Sequence, residues 1–362
     1  MFGVFVVFYL FLGGTGAGAV VTCSLADLVL VRQPFGTSAY VQGPSVRPEA
    51  RIVDFGFVAG FALLVAGIAC LLLDLGRIDR VLSLFLNPQP TLLTVGSFAL
   101  AALAVLAAFL AAVRFLYLPG VRRPVVAVVE AGAVAVAAVV MLYTGLLLQT
   151  VGGVAFWATP FVPALFVLSS VSGGAAVVLA GAFFVECDER ASWLLGRFVR
   201  ADVVVIVLEV ACAAGFLLWA DGSAHPGVQA SFARLVQGDA AAAWWLGFVA
   251  CGLAAPLALE AACLLGAWYA RAGVRELERE RIGAVLAVVA VLVLVGALCL
   301  RWSVTEAGVH REPVLEEAAP VGVLADKDMR YVRETWRPNG RNAAQVPCSS
   351  LTRTAASPSG CS

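Results

Sequence analysis

The sequence is short of charge, and what basic charge it has is almost all arginine. Of 362 residues only 13% are Asp, Glu, Lys or Arg, and Lys327 is the one lysine. Soluble domains carry roughly 25% charged residues. The 24 basic and 24 acidic residues cancel, so bulk charge gives no hold on nucleic acid. Histidine is nearly absent. His225 and His310 both fall in connectors or at a span end, and no apolar run carries the central His that membrane haem commonly uses. The nine cysteines are Cys23, Cys70, Cys187, Cys212, Cys251, Cys263, Cys299, Cys348 and Cys361. None forms a C-x-x-C pair, so neither a zinc nor an iron–sulfur framework is written here, and no metal is expected in this chain. Most sit in apolar runs, where free Cys behaves as a small hydrophobe. A nucleotide-binding loop and a Ser/His/Asp arrangement are also missing, as are the short alternating strands of a barrel.

What is present is apolar sequence: 61% of the chain is hydrophobic, against roughly 45–50% in soluble domains. No soluble core of this length hides such an excess, but a bilayer acts as solvent for it. A spanning helix needs about 20 apolar residues, and in lipid only internally hydrogen-bonded helices satisfy the backbone of such runs. Eight spans are expected, at about residues 3–31, 53–73, 92–116, 124–149, 160–185, 201–220, 243–269 and 282–306. Connectors separate them at 32–51, 74–91, 117–123, 150–159, 186–200, 221–242 and 271–281. The fold class is therefore an all-α integral membrane protein. The first span has no basic leading region and is long, which argues against a cleavable signal peptide. Residues 311–362 lose the apolar pattern, and a polar, flexible tail is expected there.

Arginine placement orients the chain. Connectors one, three, five and seven, with their helix ends, hold thirteen Arg. The opposite side holds Arg77, Arg80, Arg234, Arg301 and Arg311 before the tail. The positive-inside rule then puts the odd connectors in the cytoplasm and both termini outside the cytoplasmic membrane. A faint internal repeat links Leu12–Val20 of span one with Leu168–Val177 of span five, both runs of small residues. Small residues let helix backbones approach closely. Two parallel four-helix halves, 1–149 and 150–310, would explain the match; so would the general abundance of such runs in membrane helices.

Ionisable side chains inside lipid are costly and often functional. Asp27, Glu130, Glu209 and Glu260 fall within spans, and Asp54, Asp74 and Glu186 lie near helix ends. The first four suggest a path for protons across the bilayer. The structural alternative is that each carboxylate hydrogen-bonds a neighbouring helix or reaches the surface. Asp74 and Arg77 are three apart and share a face on a helical turn, placing a carboxylate and a guanidinium at a membrane mouth. A solvated helix end would look the same. Tyr143 offers a hydroxyl on the apolar wall of span four, or is an interfacial belt tyrosine. Trp157, Trp219, Trp244, Trp245 and Trp302 read as belt residues.

Several of these runs, in order, resemble the NrfD/polysulfide reductase family of membrane subunits. They are Tyr9–Ala19, Asp74-Leu-Gly-Arg77 with Arg80 and Asn87-Pro88, Tyr143-Thr-Gly145, Thr159-Pro160 through Ser172-Gly173, and Leu300-Arg301-Trp302. The resemblance covers about residues 1–310. It implies eight helices in two four-helix bundles, no haem, and a menaquinol- or ubiquinol-type quinone as the redox partner in the membrane. It also implies a ferredoxin-like iron–sulfur subunit and a molybdopterin-type catalytic subunit as partners. Carried over by motif, Asp74 and Arg77 lie near quinone and partner, Tyr143 hydrogen-bonds a quinone oxygen, and Gly13, Gly14, Thr15 and Gly16 let the ring approach span one. Ile78 stands where the family usually has Pro, and span one has no His. A proton-coupled transporter using the intramembrane carboxylates and a purely structural anchor are the competing readings.

Overall fold

The computed structural model describes residues 3–31, 48–75, 92–115, 121–150, 153–184, 189–270 and 277–308. Among them the regular structure is entirely helical. Helix α1 (Val4–Leu25) runs into a π-helical turn (Ala26–Val31). Then follow α2 (Pro48–Leu75), α3 (Leu92–Phe115), α4 (Arg123–Gln149) and α5 (Phe161–Ala180) with a short 3-10 extension (Gly181–Phe184). Next come α6 (Glu189–Asp221), the short α7 (Pro226–Val236), a π-helical stretch (Ala243–Ala254) leading into α8 (Ala255–Ala270), and α9 (Leu277–Ala307). Eight helical stretches are long and apolar enough to cross a bilayer. The chain is a multi-pass membrane protein.

Two expected connectors are partly helical. Residues 189–200 extend α6 below its apolar part. Within 221–242 lies α7, which starts as helices prefer to: Pro226 occupies the first turn, where no N–H is needed, and His225 Nδ1 accepts from Gly227 N at 3.2 Å.

Of the apolar windows, 72% of the first span and 78% of the fifth are buried, against 28–44% of the others. Helices α1 and α5 are thus the inner pair, and the remaining spans face lipid along one side. Their contact explains the two small-residue runs. A methyl group on Gly18 would run into the Ser170 carbonyl, and one on Gly174 into the Gly18 backbone. Lipid offers helices no hydrophobic drive to associate, so close backbone packing and polar contacts must hold them. Residues 14 and 18 of α1 meet 170 and 174 of α5 in the same order, so the two run parallel. Helix α2 runs antiparallel to α1: Gly3 lies by Asp74, Gly16 by Gly60 and Leu64, and Cys23 by Gly56. In the second half Gly252 meets Gly296 in the same backbone-close manner.

Two tryptophans expected at the interface are core residues instead. Trp157 and Trp244 are fully buried, and Trp157 Nε1 donates to Val304 O at 2.9 Å. Trp244 packs against Phe248 and Phe216. Trp245 and Trp302 are exposed, as belt residues are.

Candidate functional site

At the end of the bundle that carries Gly3, the antiparallel pairing of α1 and α2 leaves the Asp74 carboxylate exposed beside Gly3. Arg77, its expected partner, lies outside the described residues. Further into the bundle, the side chains of Tyr9 and Tyr143 come together. Both rings are buried. The Tyr143 ring fills the space beside Gly96 of α3 that any side chain there would occupy. A tyrosine hydroxyl can donate or accept. Helices α1, α2 and α3 carry exposed apolar side chains, among them Phe5, Phe8, Leu72, Leu73, Val95 and Phe98.

The stretch Gly13–Gly16 is taken up by helix packing. A Cβ on Gly14 would meet Ser170 Oγ at 2.6 Å and Arg301 Nη2 at 2.9 Å; one on Gly16 would meet Gly60 O at 3.0 Å. Thr15 faces Gly173. Gly13 is the member nearest the Tyr9 ring, 3.8 Å from where its own Cβ would stand. A separate open groove of about 910 Å³ lies between α4 and α5. Leu142, Leu146, Pro163, Ala164, Val167 and Leu168 line it, with Gln149 and Thr159 at its polar end.

The buried carboxylates gather in two places. In the first half, Asp27 stands on the π-helical turn after α1, where the wider backbone ring displaces the side chain from the regular helical path. Its carboxylate meets Arg123 at 2.6 Å and Arg114 at 2.8 Å. Arg114 also meets Asp54 at 2.8 Å and Glu130 at 3.0 Å, and Arg123 reaches Glu130 at 3.3 Å. Arg123 Nη2 donates in addition to Asp27 O at 3.2 Å, and Arg114 stacks over Phe57. Four of the five groups are buried; Asp54 is the one with partial access. Three carboxylates share two guanidinium groups, and each carboxylate touches at least one.

In the second half, Arg301 of α9 is fully buried. It spends its donors on the Leu10 and Ala297 carbonyls at 3.1 and 2.8 Å and on the Ser169 and Ser170 hydroxyls at 3.2 and 2.8 Å. Ser169 stands between Arg301 and Glu209 of α6. Two turns along the same face of α6, Asp202 faces Glu260 of α8 and Ser172 of α5. Both carboxyls are wholly buried, and their oxygens have no well-formed hydrogen bond.

This two-cluster helical assembly belongs to a chain whose sequence matches the profile of the polysulphide reductase NrfD family over residues 1–311. The chain belongs to the NrfD family. Members are membrane subunits of quinone-interacting oxidoreductases. No individual curated protein matches the sequence.

For an NrfD chain, the structure adds groups that sequence reasoning passed over. Arg114, Arg123 and Arg301 stand near helix ends, where sequence alone makes them orienting charges, yet all three point into the protein. Setting them aside leaves the arginine bias on the odd connectors. Asp202 was hidden by Arg200 at the edge of an apolar run; its i, i+7 spacing from Glu209 was the available signal. Of the four expected proton carriers, Asp27 and Glu130 share the first cluster, while Glu209 and Glu260 sit in the second. Among the described residues no group of three His, Cys, Asp or Glu is placed to hold a metal.

Proposed function

We propose that this chain is the membrane anchor and quinone-reactive subunit of a multisubunit oxidoreductase. In this reading it passes electrons between a menaquinol- or ubiquinol-type quinone and a ferredoxin-like iron–sulfur subunit. A molybdopterin-type subunit completes the complex and carries the terminal chemistry. The observation that carries the reading is the buried Tyr9–Tyr143 pair beside Gly96, below the exposed Asp74.

The residues fit a quinone head. It needs a donor for a carbonyl oxygen and a proton acceptor within reach of water, and a tyrosine hydroxyl is such a donor. When bound, a quinol supplies two electrons and two protons. Tyr143 would hold the oxygen by its hydroxyl, with Tyr9 beside it, and Asp74 would take a proton at its exposed carboxylate. Arg77 is assigned as the charge partner of Asp74. Gly13 is the member of the glycine run closest to this pair, and Gly14, Thr15 and Gly16 set the tight spacing of α1 against its neighbours. The aliphatic groove between α4 and α5 suits a prenyl or acyl tail. Both termini and Asp74 face outward in this reading, so the iron–sulfur partner docks on the connector between α2 and α3. The halves 1–149 and 150–310 are read as the two bundles, the first bearing the quinone. Glu209 and Glu260 are read as proton-carrying groups that would let electron transfer drive proton movement, while Asp27 and Glu130 are held by Arg114 and Arg123.

Family membership favours this over a transporter acting alone. Binding of a quinone-site inhibitor to the intact complex tests it. Saturable binding, weakened at least tenfold by Tyr143→Phe, is expected. An intact complex that binds no such inhibitor reduces the chain to an anchor.

A further inference from the structure

The second-half cluster contains a site that the quinone chemistry does not use. Asp202 and Glu260 come from different helices, α6 and α8, and are both 0% exposed. Their helices are in contact, and the two carboxyls are neighbours across it. The neighbouring Ser172 hydroxyl, itself 2% exposed, is aimed at Asp202 without completing a hydrogen bond. All four carboxylate oxygens are left in the same condition.

Two ionised carboxylates cannot rest against each other in a dry interior. Like charges at this range repel strongly, and each has lost its hydration. A cation must sit between them or a proton must be shared. No guanidinium among the described residues touches either one: Arg114 and Arg123 belong to the first cluster, and Arg301 is committed to carbonyls and serines. The other titratable and charged groups around the pair are Glu209 on α6, Cys263 on α8 and, beyond Glu209, Arg301 on α9. Helix α5 contributes the Ser172 hydroxyl.

We propose that Asp202 and Glu260 form a proton-binding site in which two carboxylates from neighbouring helices share one proton. The shared O–H supplies the donor that the pair lacks, and Ser172 donates to the remaining oxygen of Asp202. The site carries one negative charge with one proton and none with two. It therefore takes up a second proton from a hydronium ion, forming one O–H bond and releasing water, with no rearrangement of the helices. Glu209, two turns away on the same face of α6, is the next group in line toward Arg301. The site extends the reading that the second-half carboxylates carry protons, and it adds Asp202 and Ser172 to them. Its existence does not depend on the quinone.

Infrared difference spectroscopy on the purified complex at neutral pH tests the site. The wild type is compared with the doubly neutral Asp202→Asn/Glu260→Gln variant, and with Ser172→Ala. The expected difference is the loss of one protonated-carboxyl C=O stretch, which shifts on exchange into deuterium oxide. In Ser172→Ala the band remains but moves in frequency. The same spectra with sodium replaced by choline separate a proton from a bound metal cation. A wild type that has no such band beyond the double variant, or whose carboxylate bands respond to sodium instead, overturns the proposal. A band that is present in a complex unable to bind quinone-site inhibitors counts against the quinone reading and leaves the site standing.

Discussion

The two buried charge clusters use the same residue types to opposite effect. In the first, Asp27, Asp54 and Glu130 each lie against Arg114 or Arg123 at 2.6–3.3 Å. The charges come from the π-helical turn after α1 and from α2, α3 and α4, so the cluster ties four spans together at one end. In the second, the buried Arg301 guanidinium is turned to backbone carbonyls and serines, and Asp202 and Glu260 face each other instead. An ion pair whose partners are both fixed resists a change of protonation, because a proton added to the carboxylate leaves the guanidinium stranded. A carboxyl pair without a cation changes protonation at little structural cost. The difference assigns a fastening role to the first cluster and a proton-holding role to the second.

Arg114→Ala is expected to be the most damaging change. It leaves the buried Asp27 and Glu130 and the half-buried Asp54 with one guanidinium, and breaking a buried pair in this way costs about 3–5 kcal/mol. Thermal unfolding in detergent should show a large drop in midpoint or a loss of folded protein; a melting curve like the wild type's would remove the fastening role. A smaller and more discriminating test sets Asp27→Asn against Asp202→Asn. The first takes a shared acceptor from two arginines and should cost about 1.5–3 kcal/mol, the range of hydrogen bonds to charged groups. The second gives Glu260 an amide donor and should leave stability unchanged or raised. Equal losses at both positions would erase the distinction between the clusters. Arg301→Lys keeps the charge but not the planar fork, so it should cost about 1–3 kcal/mol through lost hydrogen bonds to Leu10 and Ala297. At the small end, Arg234 makes only long, partly exposed contacts with Asp239 and Glu306. Its replacement by Ala should shift stability by about 1 kcal/mol or less.

The spans were legible because lipid imposes one rule on every residue of a run, and length and apolarity alone reveal it. Gly18 and Gly174 were legible for a related reason: close helix packing demands small residues wherever it happens. The clusters were not. Arg114 and Arg123 lie at helix ends, where arginines commonly meet headgroups, and nothing local distinguishes an arginine turned inward. Asp27 gave no hint that a π-helical turn would bring it to both of them. Trp157 and Trp244 look like belt tryptophans in sequence, and only the seating of the 3-10 turn at Ala155–Trp157 against the end of α9, and of the π-helical stretch against α6, buries them. The Tyr9–Tyr143 pair needed the antiparallel register of α1 and α4, which no spacing within either helix encodes.

The central claim is that this chain reacts with quinone through Tyr143 and Asp74. Its most direct test is steady-state quinol oxidation by the purified complex carrying Tyr143→Phe or Asp74→Asn, with partner subunits quantified in the same preparations. The account predicts at least a tenfold loss of turnover in each, with the complement of partner subunits unchanged. Turnover equal to the wild type's in both variants would contradict it.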